Sequence, residues 1–306
     1  MTEAAQSLED LVRTARDGNR ESLERLVLSI QDQIHGLALR MLWNREDAKD
    51  AAQEILVRIV TRLGTFRGAS RFTTWVYRVA ANYLLTARKS RLEEQRYTFQ
   101  RFGDELDTGL SDEGVPHGAD TALLLEEVKI GCTLGMLQCL DRPHRLAYIL
   151  GEILEMEGDE AALALGIRPA AFRKRLSRAR DAVVAFTQAK CGLVNPARSC
   201  RCRRRLPAAL RLGRVAPGRP LFATDAGRAR SFPHVLAEIR RLEEVRRAAA
   251  LLRSHPPFPM PEDAVADIRR LVGDELIEAW GRPRGGGDRI GSHPRVVQAG
   301  RRGVRG

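Results

Sequence analysis

Apolar residues recur every three or four positions along most of this chain, a period that admits helices and leaves little room for strands. Leu23, Leu26, Ile30, Ile34, Leu37 and Met41 put one stripe on residues 20 to 43, which read as an amphipathic helix. Asn44 can cap the next helix, because Asp47 lies three residues on and brings a carboxylate to its positive first turn. That second helix runs to about Leu63. It has Ala48, Ala52, Ile55 and Ile59 on one side and acids with an amide on the other, a face that is ordinarily just solvated. The chain reads as all-α.

Gly64 and Gly68 bracket a break, after which Ser70 opens a helix of unusual composition. The stretch from Phe66 to Tyr83 holds aromatic, hydroxyl, amide and guanidinium side chains together. Single-stranded DNA asks for that mixture: flat groups to stack on unpaired bases, polar groups for their edges and cations for the phosphates between them. Phe72, Trp75, Val76, Val79 and Tyr83 also fall at helical spacing and serve equally well as core. The segment alone leaves both readings open. A basic run, Arg88, Lys89 and Arg91, follows it.

Residues 97 to 120 carry Asp104, Glu105, Asp107, Asp112, Glu113 and Asp120 among glycines and a proline, with no sustained apolar period, and read as a flexible acidic linker. It is either a solubilising tether or an acidic strand that threads a basic channel on a partner. Helical pattern resumes at Asp120, a good N-cap, and runs through Leu140; Pro143 suits the first turn of another helix, to about Leu154. A short helix from Asp159 to Leu165, a turn at Gly166-Ile167 and a basic helix from Pro169 to Lys190 make a helix-turn-helix. Its outer face offers Arg173, Lys174, Arg175, Ser177, Arg178 and Arg180, with Phe172, Leu176, Ala179 and Val183 inward.

The 306 residues allow two or three domains, and the net charge of +12 points to a polyanionic partner, nucleic acid or an anionic membrane surface. No apolar run approaches the roughly 20 residues of a membrane span, and residues 1 to 10 are acidic and polar rather than a signal peptide, so the expectation is a cytoplasmic protein without membrane insertion. His35, His117 and His144 are scattered and no glycine-rich phosphate loop is present, so no enzymatic constellation is expected in the first 190 residues.

Three segments, residues 47 to 54 (Asp-Ala-Lys-Asp-Ala-Ala-Gln-Glu), 66 to 82 and 158 to 180, stand in an order and at separations that resemble the extracytoplasmic-function sigma factors of bacterial RNA polymerase. The resemblance covers about residues 8 to 188. It implies a polymerase-binding and −10-binding unit at 1 to 96, the linker at 97 to 120 and a −35-binding helix-turn-helix unit at 121 to 190. Asp47, Asp50, Gln53, Glu54 and Arg58 match the face such factors dock on the polymerase core. Phe66 to Arg88 matches the part that melts the −10 element. There Phe72, Trp75 and Tyr77 divide between packing and stacking, Arg67, Ser70, Arg71 and Thr74 line the pocket of a flipped base, and Arg78, Asn82 and Arg88 follow the backbone. Arg173, Lys174 and Arg178 match contacts to the −35 element. The segment Arg168-Pro169-Ala170-Ala171-Phe172 lacks the small polar residues many relatives carry there, which points to a different promoter preference. The implied partners are the polymerase core, promoter DNA and an anti-sigma factor. A conventional helix-turn-helix regulator is the rival reading; it explains residues 143 to 190 and leaves the aromatic segment idle.

Residues 191 to 306 exceed what that family needs. Cys191, Cys200 and Cys202 read as a zinc site with His234 or His255 as a fourth ligand, as a redox switch whose thiols the neighbouring arginines acidify, or as incidental cysteines in a basic linker. An odd total of five cysteines argues against a disulfide framework. Two further stripes follow: Val235, Leu236, Ile239, Leu242, Val245, Leu251 and Leu252, then Val265, Ile268, Leu271, Val272, Leu276 and Trp280. Two helices make a meagre core, so residues 191 to 281 are expected to pack on the preceding units and to regulate them in place of a separate anti-sigma factor. Residues 282 to 306 read as disordered.

Overall fold

The computed structural model describes residues 7–87, 97–113, 121–223 and 226–274. Among the described residues the secondary structure is helical, and no strand forms beyond a single bridge between Cys191 and Cys200.

Three helices build the N-terminal bundle. Helix α1 (Leu8–Arg16) starts at Ser7, whose hydroxyl accepts the Asp10 N–H at 3.1 Å. Helix α2 (Arg20–Leu42) starts at Asn19 in the same way, with the Ser22 N–H at 2.8 Å. Asn44 caps α3 (Arg45–Arg62) through the Asp47 N–H at 3.0 Å, as its spacing predicts. The turn between α2 and α3 is made by Trp43 in the left-handed region, φ 57°, unusual for a bulky residue. Its indole lies against Gly135, where a Cβ would come 3.3 Å from the ring. A 3-10 turn (Leu63–Thr65) and Gly68 at φ +72° then lead into α4 (Phe72–Thr86). Arg71, not Ser70, precedes the first helical residue, and neither side chain caps it; the Ser70 hydroxyl bonds the Arg71 carbonyl instead.

The stretch expected to be a linker contains α5 (Phe99–Thr108), capped by Thr98. Phe102 and Leu106 are buried, and Phe102 stacks on Phe186 at 5.4 Å and 14°. The acids that made this segment look unstructured are engaged instead: Glu105 with Arg205 and Arg214, Asp107 with Lys190, and Asp112 with Arg204 at 3.0 Å. Cations distant in sequence neutralise the charge that would otherwise favour an open chain. Asp120 lies outside the described residues.

Helix α6 (Thr121–Gln138) is the central strut, buried on nearly every side. Asp141 caps α7 (Arg142–Tyr148), with Pro143 in its first turn, and the helix widens into a π-helical turn at Ile149–Ile153. Gly151 in that turn is pressed against the longest downstream helix, where a Cβ would come 2.7 Å from Leu176. Helices α8 (Gly158–Leu165) and α9 (Pro169–Lys190) are joined through Gly166 at φ +63°, which confirms the helix-turn-helix.

One buried guanidinium ties the two halves together. Arg145, 1% exposed, donates to the carbonyls of Leu137 (2.9 Å), Leu140 (2.8 Å), Gln138 (3.3 Å) and Met41. It satisfies the orphan carbonyls at the ends of α2 and α6 and places a positive charge where both helix dipoles are negative.

The remainder of the chain wraps this body. Helix α10 (Cys202–Arg211) sets Leu206 and Ala209 against Leu124 and Val128 of α6. Residues 221–223 are held by the buried Glu127 carboxylate, which accepts the N–H groups of Leu221 (2.8 Å), Phe222 (2.5 Å) and Ala223 (2.5 Å). Helices α11 (Ala226–Arg241) and α12 (Glu244–Arg253) follow. The single stripe expected over Val235 to Leu252 is therefore broken at residues 242–243, and Val235, Leu242 and Val245 lie exposed on either side of the break. A proline-rich strap, residues 254–261, crosses α2. It is fastened by the Met260 N–H on Asp32 (2.8 Å), by His35 Nδ1 on the Phe258 carbonyl (3.1 Å) and by Arg40 over the Phe258 ring (4.8 Å). The strap delivers α13 (Glu262–Asp274) onto α2 and α3. Leu276, Trp280 and residues 282 to 306 lie outside the described residues. No described helix is long and apolar enough to cross a membrane.

Candidate nucleic-acid interface

The aromatic segment resolves into inner and outer parts. Phe72 (1% exposed) and Tyr77 (9%) belong to the core, so their rings do not face a base. Thr74 is buried as well, its hydroxyl without a hydrogen-bond partner among the described residues. Trp75 is half-buried. Its ring lies 5.7 Å from both Phe66 and Phe72, stacked on Phe72 at 27°, and with the likewise half-buried Phe66 it forms the outer part of a three-ring cluster. Arg67, Arg71, Arg78 and Asn82 are exposed around it, and Ser70 is partly so. Arg88 lies outside the described residues. The spacing cannot separate these roles, because both faces of α4 carry aromatics and burial is decided by α2, α3 and α8.

Helix α8 lies against α4, with Glu160 paired to Arg71 and Gly166 beside the Arg78 guanidinium. The first helix of the helix-turn-helix thus covers part of the cationic face of α4. On α9 the outer face is open. Arg173, Lys174, Ser177 and Arg178 are exposed, and Arg175 is half-buried. Arg180 differs: it is paired with Glu152 at 2.8 Å and points back toward the π turn. Phe172, Ala179 and Val183 are buried as expected, which fixes the rotation of the helix about its axis.

On α3, Asp47 and Asp50 are exposed, and Arg58 is half-buried, bonded to Glu54 at 2.7 Å and stacked over Tyr83 at 4.8 Å. Gln53 is partly covered by α13 through Asp267 at 3.4 Å, and Lys49 beside it is paired with Asp263. Lys49 was not expected in this face; an alternating charge along a helix gives no sign of which member a distant segment will claim.

The cysteines contradict one expectation. Burial pushes the Cys191 thiol up and the Cys200 thiol up to about 11, and it raises Cys202 further, outweighing the nearby arginines. Thiolates are therefore disfavoured, and the acidified redox pair is set aside. The expected histidines are elsewhere: His234 is exposed on α11, and His255 Nε2 faces the Thr133 hydroxyl at 2.7 Å. Among the described residues no three His, Cys, Asp or Glu side chains already converge as a metal site.

Residues 26–92 match the family described as Sigma-70 region 2. Over 179 residues the chain is 31% identical to the RNA polymerase sigma-H factor of Pseudomonas aeruginosa, a match covering 57% of this chain and 91% of that protein. It is 27% identical over 163 residues to RNA polymerase sigma factor CarQ of Myxococcus xanthus, covering 53% of this chain and 87% of that one. With the ECF RNA polymerase sigma factor SigW of Bacillus subtilis it shares 26% over 176 residues, 56% of this chain and 92% of the relative. An aromatic and cationic helix, a basic helix-turn-helix and nearly full-length coverage of these relatives agree: the chain belongs to the extracytoplasmic-function sigma factors of the sigma-70 family.

Proposed function

We propose that this protein is a dissociable subunit of bacterial RNA polymerase that directs the core enzyme to promoters from the cytoplasm and opens them. The observation that carries the reading is the joint presence of Trp75 among exposed Arg67, Arg71 and Arg78, and of a second cationic surface at Arg173, Lys174 and Arg178. One surface suits an unstacked strand and the other the phosphates and base edges of a duplex groove. Extruding a base costs a few kcal/mol, and a pocket that rewards only the extruded state lets binding energy drive opening without ATP. The chain itself carries out no bond chemistry; that belongs to the polymerase. In vitro transcription with core enzyme on a genomic promoter library tests this. Discrete start sites that require the chain are expected, and their absence overturns the reading.

The described arrangement is, in our reading, a closed form. Helix α8 sits on the −10-binding helix and α13 on the polymerase-facing side of α3, so two surfaces the function needs are partly occupied by the chain itself. The strap across α2 brings α13 there. The C-terminal extension accordingly acts as a built-in restraint where relatives use a separate anti-sigma protein. Binding measurements with core polymerase, comparing the full chain with variants of the α13 contacts, decide between restraint and mere decoration.

A further inference from the structure

Three of the five cysteines come from the extension and are close in sequence; a fourth joins them only in the fold. Cys132 of α6 lines the same small cavity as Cys191, Cys200 and Cys202, together with Val128, Lys129 and Arg205. The cavity is about 20 Å³, room for one atom-sized guest.

The loop that carries the thiols is built rather than slack. Cys191 and Cys200 are paired across the bridge, the Gly192 N–H donates to the Cys200 carbonyl at 3.0 Å, and a Cβ at Gly192 would meet that carbonyl oxygen at 2.3 Å. Only glycine permits so close an approach. Asn195 closes the turn through the Gln188 carbonyl (2.9 Å) and the Ala197 N–H (3.1 Å), and Arg201 clasps the Pro196 carbonyl at 2.8 Å. Cys139, the fifth cysteine, is absent from the cavity and bonds the Gly135 carbonyl within its own helix.

We propose that Cys132, Cys191, Cys200 and Cys202 form a four-sulfur site for a thiophilic divalent cation of the zinc class. Among the described residues the four thiols line the cavity without converging, so ion binding requires them to turn inward from this arrangement. Binding converts four thiols and one M²⁺ into a tetrathiolate complex and releases four protons to solvent. That complex carries two negative charges beside two buried cations that line the cavity, Lys129, ion-paired with Glu126 at 2.6 Å, and Arg205, ion-paired with Glu105 at 3.0 Å, which it would share with those carboxylates. Because Cys132 belongs to α6 and the other three to the extension, the ion staples the extension to the body. The inference stands independently of the proposed promoter function.

Cobalt(II) titration of the reduced, metal-stripped full chain tests it. One Co²⁺ per chain with intense sulfur-to-metal charge-transfer absorption, displaced by Zn²⁺, is expected for the wild type and for Cys139→Ser. Cys132→Ser is expected to bind at least about tenfold more weakly, as are Cys200→Ser and Cys202→Ser, so the outcome does not hang on the folding of one variant. Absence of a sulfur-ligated Co²⁺ spectrum in the wild type, affinity unchanged in Cys132→Ser, or a Cys191–Cys200 disulfide formed in preference to metal binding would each overturn the assignment.

Discussion

Lys49 of α3 is ion-paired with Asp263 at the start of the last described helix, 214 residues away in sequence. The pair holds Lys49 more strongly protonated, first through its hydrogen bond to Asp263, and keeps the Asp263 carboxyl below its usual range for the same reason. An exposed ion pair of this kind contributes little stability by itself. Its significance is positional: it fixes α13 on the face of α3 that we propose docks on the polymerase core.

Reversing the charges of α13 should therefore weaken the restraint. With Asp263→Lys and Asp267→Lys together, the open form rises from a minor population toward a major one, and core polymerase binds about tenfold more tightly or better. Surface plasmon resonance with core enzyme reads this directly, and unchanged affinity would remove α13 from the mechanism.

Trp75 and Arg173 should separate two steps. Replacing Trp75 with alanine removes a half-buried ring of the cluster and should cost about 1–3 kcal/mol in capture of a melted −10 strand, with less effect on duplex binding. Arg173→Ala should weaken upstream duplex binding and lower the salt dependence by about one counterion. Permanganate footprinting and salt-titrated binding give the two readouts, and equal losses in both assays from both variants contradict the division.

Arg145 should prove the most costly single side chain in the body. Arg145→Ala strands carbonyls of α2 and α6 in a dry interior, and the loss is expected at about 3–5 kcal/mol, read as a lower urea midpoint. Arg145→Lys recovers only part of it, since one ammonium cannot reach four carbonyls in a fork.

Acid should loosen the strap. Burial lowers the pKa of His35, and its Nε2 is buried without a partner among the described residues, so the neutral ring is the folded form. The unfolded chain then binds the extra proton first, and the stability His35 contributes is fully present above about pH 6.5 and lost as pH falls below it toward the folded pKa. Asp32 opposes this shift and Arg45 favours it. The protection of the residue 258 and 260 amides, taken relative to their base-catalysed intrinsic exchange rate, should fall between pH 7.5 and 5.5, and His35→Gln should flatten that change.

Much of the fold could be read from local pattern. The cap at Asn44, the turn at Gly166 and the inward set Phe172, Ala179 and Val183 are decided by neighbours within a few residues, and all stand where the sequence puts them. Helix α5 escaped because its apolar face is only Phe99, Phe102 and Leu106, and the rings and cations that stabilise it are about 80 to 110 residues away. The strap escaped because it has no period at all; its four prolines and buried Phe258 and Met260 make sense only against α2. Which aromatics of α4 face outward, and that Cys132 joins the other thiols, are likewise consequences of packing that no spacing encodes.

Glu127 holds residues 221–223 entirely through peptide nitrogens. The three hydrogen bonds do not depend on side-chain identity unless proline enters, but the buried Phe222 and Ala223 side chains add a packing anchor beside them, so exchanging the single carboxylate for an alkyl group undoes three polar attachments and leaves an apolar one. Of the three, exposed Leu221 is the position open to rewriting, since its neighbours carry apolar contacts that a polar replacement would lose.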